Sequence, residues 1–99
     1  MAYAIAFAQS VREQLLTLTA RERTRVLDAI EEQLSHQPLV ETKHRKALRP
    51  NPIAPWELRA GYFRVFYDVA ADEPDTVRIL AVGRKRGDKL YIGGQEIRL

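Results

Sequence analysis

The residues best suited to chemistry in this chain are Glu57, Arg59 and Arg64, grouped around the dipeptide Gly61-Tyr62. A two-residue loop with Gly at its first position suits a type II′ hairpin turn, and such a turn sets a register. Ala60 then faces Phe63, Leu58 faces Val65 and Trp56 faces Tyr67, so these six residues share one side of a sheet. The other side carries Arg59 opposite Arg64, and Glu57 opposite Phe66. Two arginines directly across from each other cost on the order of a few tenths of a kcal/mol up to ~1 when nothing lies between them. Something anionic is therefore expected there. Glu57 as an internal counter-charge is one candidate. A phosphate is the other, because two planar guanidinium forks match its oxygens.

Two further basic clusters flank the pair: Lys43, His44, Arg45, Lys46 and Arg49 before the hairpin, and Arg84, Lys85, Arg86 and Lys89 after the last strand-like run. Each alone is ordinary solvated surface. Basic residues on three segments that antiparallel folding brings together describe a groove tracking a phosphate backbone, with Tyr62, Phe66 or Tyr91 as a stacking surface for a base. The charge distribution agrees. Residues 1–42 hold four Lys/Arg and six Asp/Glu, whereas residues 43–99 hold twelve and seven, so the halves carry −2 and +5 within the formal total of +3. Such an asymmetry points to an anionic partner, either nucleic acid or an acidic protein segment competing for the same surface.

Other chemistries are excluded by residue type or spacing. The chain has no cysteine, which removes disulfides, thiolate nucleophiles and thiolate metal sites, and the expected address is cytoplasmic. His36 and His44 lie apart and give no metal-ligand spacing, so neither metal nor cofactor is expected. The run Gly83 to Lys89 is too short for a phosphate loop, and Asp88 interrupts its Gly-Lys pair. Ser10 and Ser35 fall in helical segments without an adjacent base. The apolar opening Ala2 to Ala8 is shorter than a spanning helix and lacks a basic flank, so no membrane segment is expected.

The positioning elements follow from periodicity. At 99 residues, 45% hydrophobic and 29% charged, the chain has the size and composition of one domain, taken as 1–99. Tyr3 to Phe7 reads as a strand, and Phe7, Val11, Leu15 and Leu18 recur at helical spacing from Gln9-Ser10 onward. Thr19 with Glu22 three residues later is a capping-box pattern that starts a second helix at about Ala20. Val26, Leu27, Ile30 and Leu34 form its apolar stripe, with Asp28, Glu31 and Glu32 largely opposite. Pro38 ends that helix, and Gln37 to Pro55 reads as an extended loop. The period then switches to 2, with strand-like runs at Trp56 to Ala60, Phe63 to Val69 and Val77 to Val82. The expected fold is α+β: strand, helix, helix, then three or four antiparallel strands, with both helices on one face of a mainly antiparallel sheet.

The run Leu58-Arg59-Ala60-Gly61-Tyr62-Phe63-Arg64-Val65-Phe66-Tyr67-Asp68-Val69, followed by Ile79-Leu80-Ala81-Val82-Gly83-Arg84-Lys85-Arg86 and Leu90-Tyr91, resembles the C-terminal half of RelE/ParE superfamily toxins. The strand–helix–helix order before it agrees with the family fold across the whole chain. The resemblance implies the toxin of a type II toxin–antitoxin pair, held inactive by a cognate antitoxin. For the RelE branch it implies a ribosome-dependent endoribonuclease acting on mRNA. For the ParE branch it implies a DNA gyrase inhibitor. A catalytically inactive binding module is the third alternative.

By position, the resemblance matches Arg64 to the family arginine that holds the scissile phosphate, Lys85 to a second stabilising cation and Tyr91 to the aromatic hydroxyl beside the substrate. Attack of a ribose 2′-oxygen on the adjacent phosphorus also needs a base and an acid. RelE-like members carry lysines just before the "LR" motif, where this chain has Pro55 and Glu57. Glu57 is the candidate base, beside Arg59; no histidine follows Gly83, so the acid is Tyr91, Lys85 or absent. Family members often end in a helix. Here Gly93-Gly94 indicates a turn into a last short strand.

Overall fold

The computed structural model of the chain describes residues 2–99. Its elements run β1 (Ala4–Phe7), α1 (Gln9–Leu16), α2 (Ala20–Leu34), β2 (Arg45–Ala47), β3 (Trp56–Ala60), β4 (Phe63–Asp68), β5 (Thr76–Arg86), β6 (Lys89–Ile92) and β7 (Gln95–Ile97). The expected α+β arrangement is present, with both helices on one face of a sheet ordered β2-β3-β4-β5-β6-β7. All neighbours on that path are antiparallel, and β1 adds one parallel pair along β5.

Six strands follow the helices, more than the three or four expected, for two local reasons. The loop after Pro38 contains β2, which pairs with β3. The run starting near Val77 continues to Arg86 and returns through β6, because Gly87 adopts φ +63 and closes a tight turn. The Gly93-Gly94 turn into β7 forms as expected.

The helix boundaries follow their caps. Thr19 Oγ1 accepts the Glu22 amide at 3.1 Å while Glu22 Oε1 accepts the Thr19 amide at 2.9 Å, so α2 begins at Ala20. Arg23 closes the end of α1, its Nε donating to Leu15 O and its Nη2 to Leu18 O, both at 3.1 Å. A cation at those carbonyls also suits the helix dipole. Val11, Leu18, Val26, Ile30 and Leu34 then pack on Leu58, Phe63, Val65, Tyr67, Val77, Ile79 and Val82 of the sheet. Phe7 and Leu27 stay largely exposed at the rim.

The hairpin register is the expected one, with Ala60 on Phe63, Leu58 on Val65 and Trp56 on Tyr67. Gly61 has φ +60 and no non-glycine residue among the described residues has positive φ, the combination that a type II′ turn needs. One feature of β5 decides the orientation of everything after it. Phe66 pairs with Ala81 but Tyr67 pairs with Ile79, so Leu80 is an extra residue in a bulge. The alternation shifts there. Val77 and Ile79 face the helices before the bulge, and Val82 and Arg84 do after it, which leaves Ala81, Gly83 and Lys85 on the open face.

Candidate nucleic-acid interface

The open face brings Glu57, Arg59, Arg64 and Lys85 together from three adjacent strands. Arg59 lies directly opposite Arg64. Glu57 is only 6% exposed, and its Oε1 accepts Arg59 Nε at 2.8 Å. The counter-charge alternative is thus realised for Arg59. It is not realised for Arg64, whose Nη1 donates to Gly61 O at 2.7 Å and to Phe63 O at 2.8 Å. Arg64 Nε is buried without a hydrogen-bond partner among the described residues. Burial pulls the pKa of this guanidinium below its ordinary value, Glu57 opposes that shift and Arg59 adds to it. An unpaired charged donor on a cationic face is a group whose chemistry suits an anion's oxygens.

Gly83 sits opposite Arg64 on β5, and β6 passes close against it. A Cβ there would collide with the Tyr91 carbonyl and the Ile92 side chain, so only glycine permits this approach. Lys46 faces Glu57 across the β2–β3 ladder and adds a cation to the same face. Toward the chain's end a cleft of about 480 Å³ opens beside Glu57 and Arg59, with Lys85, Lys89, Glu96 and Ile97 in its walls. The apolar part of this face is filled rather than bare. Phe66, Ala81 and Leu90 are covered by Leu48, Ile53 and Ala54 of the loop and by Ile97. Asn51 shapes that loop, its Oδ1 accepting the Ile53 and Ala54 amides at 2.8 and 3.0 Å.

Several expected groove residues lie elsewhere. Arg45 is 8% exposed, because strand alternation turns it toward α2, where Nε donates to Val40 O and Nη1 to Gln33 O, each at 2.9 Å. It is a structural cation, not a groove residue. Phe66 is wholly buried and offers no stacking surface. Arg84 points to the helix side, pairs with Glu22 at 3.3 Å and lies over the Tyr62 and Phe63 rings at 5.6 and 5.4 Å. Tyr62 donates its hydroxyl to Glu22 Oε2 at 3.2 Å, with its side chain half-exposed. Tyr91 pairs with Arg84 in the β5–β6 ladder, which places it with Arg86 on the helix side, away from Arg64 and Lys85. Lys43 and Arg49 are exposed on the loop, and His44 is half-buried there, its carbonyl accepting the Arg59 amide at 2.7 Å.

The arrangement sets two guanidinium groups, a lysine and a buried carboxylate on one sheet face, a donor set whose geometry matches phosphate oxygens. No group of three or more His, Asp or Glu side chains able to hold a metal lies among the described residues. None of their helices is long and apolar enough to cross a membrane. Sequence reasoning missed Gly83 and the Leu80 bulge. A glycine inside a strand pattern was the available signal for the first. The unalternating run Ile79-Leu80-Ala81-Val82 was a fainter one for the second.

A cationic α+β sheet with two helices on its other face defines the class, and comparison with known proteins narrows it. No family model matches the chain, and no curated protein matches it by sequence. Among solved structures it is similar to a chain of the toxin–antitoxin complex RelBE2 from Mycobacterium tuberculosis, at 27% identity and TM-score 0.72, covering 86% of this chain and 93% of that one. It is also similar in fold to a chain of the archaeal RelE–RelB complex from Pyrococcus horikoshii, at 24% identity and TM-score 0.61, covering 88% and 98%. The resemblance read from the sequence therefore extends to three dimensions, and the chain is RelE-like.

Proposed function

We propose that this chain is the toxin of a type II toxin–antitoxin pair and that it cleaves mRNA on the ribosome, in the cytoplasm. The observation that carries the reading is Arg64: a buried, unpaired guanidinium Nε facing a second arginine, with Lys85 on the same sheet face. Arg64 Nε and Nη2 take the oxygens of the scissile phosphate, and Arg59 and Lys85 balance the charge that grows on it. Arg59 holds Glu57 through Oε1, so Oε2 is the oxygen that accepts the proton of the ribose 2′-hydroxyl. The 2′-oxygen bonds to phosphorus, the bond to the 5′-oxygen breaks, and Lys85 returns a proton to that leaving oxygen. The products are a 2′,3′-cyclic phosphate and a 5′-hydroxyl, and no cofactor is required. An antitoxin partner is supported by the toxin–antitoxin complexes to which the chain is similar, and an acidic segment of it suits the same cations.

The test is primer extension on a translated reporter mRNA with purified protein and ribosomes. Wild type should cut within codons only when ribosomes are present. Arg64→Ala should lower cutting by about 10²–10³-fold, the scale of removing one transition-state donor. Undiminished cutting in that variant overturns the phosphate-clamp role. If no cuts appear while wild type still arrests growth and changes DNA supercoiling, DNA gyrase is the target and the nuclease reading falls.

A further inference from the structure

The outward face of α2 carries its charges in an order that disfavours the helix in an isolated chain. Val26, Ile30 and Leu34 are its buried residues. Arg21, Arg25, Asp28 and Glu32, spaced four, three and four residues apart, share one line on the opposite side, with Thr24 and Glu31 beside it, all of them exposed. Arg21 with Arg25, and Asp28 with Glu32, are like charges at i,i+4, which oppose helix formation. Arg21 stands in the first turn, at the positive end of the helix dipole. Glu31 and Glu32 stand in the last turn, at the negative end, where no basic residue offsets them. Glu22 is the acid of the first turn, and it is held by Thr19, Tyr62 and Arg84. Arg21, Arg25, Asp28, Glu31 and Glu32 enter no ion pair among the described residues. Like-charge repulsion and an opposed dipole thus coincide on one exposed stripe, and no ion pair within the chain offsets them.

We infer that this face of α2 pairs with the same face of a second copy of the chain, antiparallel about a two-fold axis. An isologous contact requires a self-complementary patch, and this charge order is one. With the axis passing between Val26 and Leu27, Arg21 meets Glu32 of the partner subunit and Arg25 meets Asp28 of the partner subunit, and the symmetry repeats both pairs. Every unfavourable effect then changes sign. Each arginine gains a carboxylate, and the two dipoles lie antiparallel, with the acidic end of one helix beside the positive end of the other. A parallel arrangement would set arginine on arginine. A helix of 15 residues is about 22 Å long, so the contact belongs to the small, transient class of interfaces, and its polar composition makes it sensitive to salt. α2 packs on the side of the sheet away from Glu57, Arg59 and Arg64, so both open faces of such a dimer point outward. The pairing does not depend on what those faces bind.

The test is sedimentation equilibrium of the purified chain at low and high salt. It compares wild type, the double variant Arg21→Glu with Arg25→Glu, the double variant Asp28→Arg with Glu32→Arg, and an equimolar mixture of the two doubles. Both doubles replace charges that oppose the helix dipole with charges that suit it, so circular dichroism should show both folded. Wild type at low salt should be in monomer–dimer equilibrium with a Kd no weaker than about 1 mM. It should shift to monomer at about 1 M salt, where the screening length falls to about 3 Å. Each double variant alone sets like charges face to face and should dimerise at least about 100-fold more weakly. The mixture should regain dimers, because an acidic face then meets a basic one. Wild type that stays monomeric up to about 1 mM overturns the pairing. So does dimerisation that survives in either double variant, or a mixture that stays monomeric while both variants are folded. If wild type is monomeric and Arg21→Glu with Arg25→Glu instead lowers affinity for a labelled single-stranded RNA, the basic end of α2 serves nucleic acid and the pairing fails.

Discussion

On the helix side of the sheet, Leu58, Phe63, Val65 and Tyr67 close against α1 and α2, and the buried Tyr67 hydroxyl is satisfied, donating to Pro38 O at 2.6 Å. On the open side the same two strands carry Glu57, Arg59 and Arg64, and there a buried Nε has no partner and two arginines face each other. Residues one position apart in sequence thus have opposite accounts: one side has its interactions completed within the chain, and on the other Arg64 keeps an unpaired Nε across from a second arginine. The difference teaches where stability and activity separate in this protein. Under the proposed function, removing a side chain of these two strands should cost stability on the first side and activity on the second.

The largest expected effect is on the helix side. Leu58 is wholly buried, and Leu58→Ala should cost about 2–5 kcal/mol. For a domain of this size that lowers Tm by about 4–8 °C per kcal/mol, read by thermal and urea unfolding. Against it stands Arg64→Ala, whose effect under the proposed function belongs to turnover. Its stability should change by no more than about 1 kcal/mol, because losing the Nη1 bonds to Gly61 O and Phe63 O is offset by the disappearance of a cross-strand like-charge contact and an unpaired buried donor. A loss of stability comparable to that of Leu58→Ala would break the comparison, since Arg64 would then be a structural residue like Arg45.

Tyr67→Phe sharpens the same contrast at a smaller scale. It keeps the ring and leaves Pro38 O buried without its donor, at an expected cost of about 1–3 kcal/mol. Burial pushes the Tyr67 hydroxyl pKa well up, so it remains a donor throughout the accessible pH range and this cost should not vary with pH. RNA cleavage by Tyr67→Phe should match wild type at temperatures where both are folded.

How much of this was legible before the structure depends on how local each determinant is. The Gly61-Tyr62 turn and the Thr19/Glu22 box are set by neighbouring residues, and both gave the register and the helix start correctly. Arg45 was misread because its partners, Val40 O and Gln33 O, come from a loop and a helix that no local pattern links to it. Tyr91 was misplaced for a different reason: one extra residue at Leu80 reverses the face of every later side chain on β5, and a phase slip leaves little trace in composition. The cations were identified by type, but which side of the sheet each one faces is a property of the bulge.

The smallest predicted effect tests the seam where the helix side meets the hairpin. Glu22 accepts the Thr19 amide, pairs with Arg84 and accepts the Tyr62 hydroxyl, so one carboxylate ties the start of α2 to β4 and β5. The Thr19 amide, then Arg84 and Tyr62, hold its pKa below the ordinary 4.5, partly offset by desolvation. A carboxyl with a depressed folded-state pKa contributes stability that is complete above the unfolded value and is lost as pH falls through the folded one. Glu22→Gln keeps an oxygen for the capping box and removes the charge, so it should be less stable than wild type near neutral pH. That deficit should shrink as pH drops below 4.5 and the wild-type carboxyl protonates. Thr19→Ala should instead lose about 1 kcal/mol through its missing cap, whether or not Glu22 is charged. Urea unfolding of the three proteins across that pH range separates the two contributions. A Glu22→Gln deficit that persists unchanged in acid would mean that the Arg84 pair contributes nothing and that the hydrogen bonds alone hold the seam.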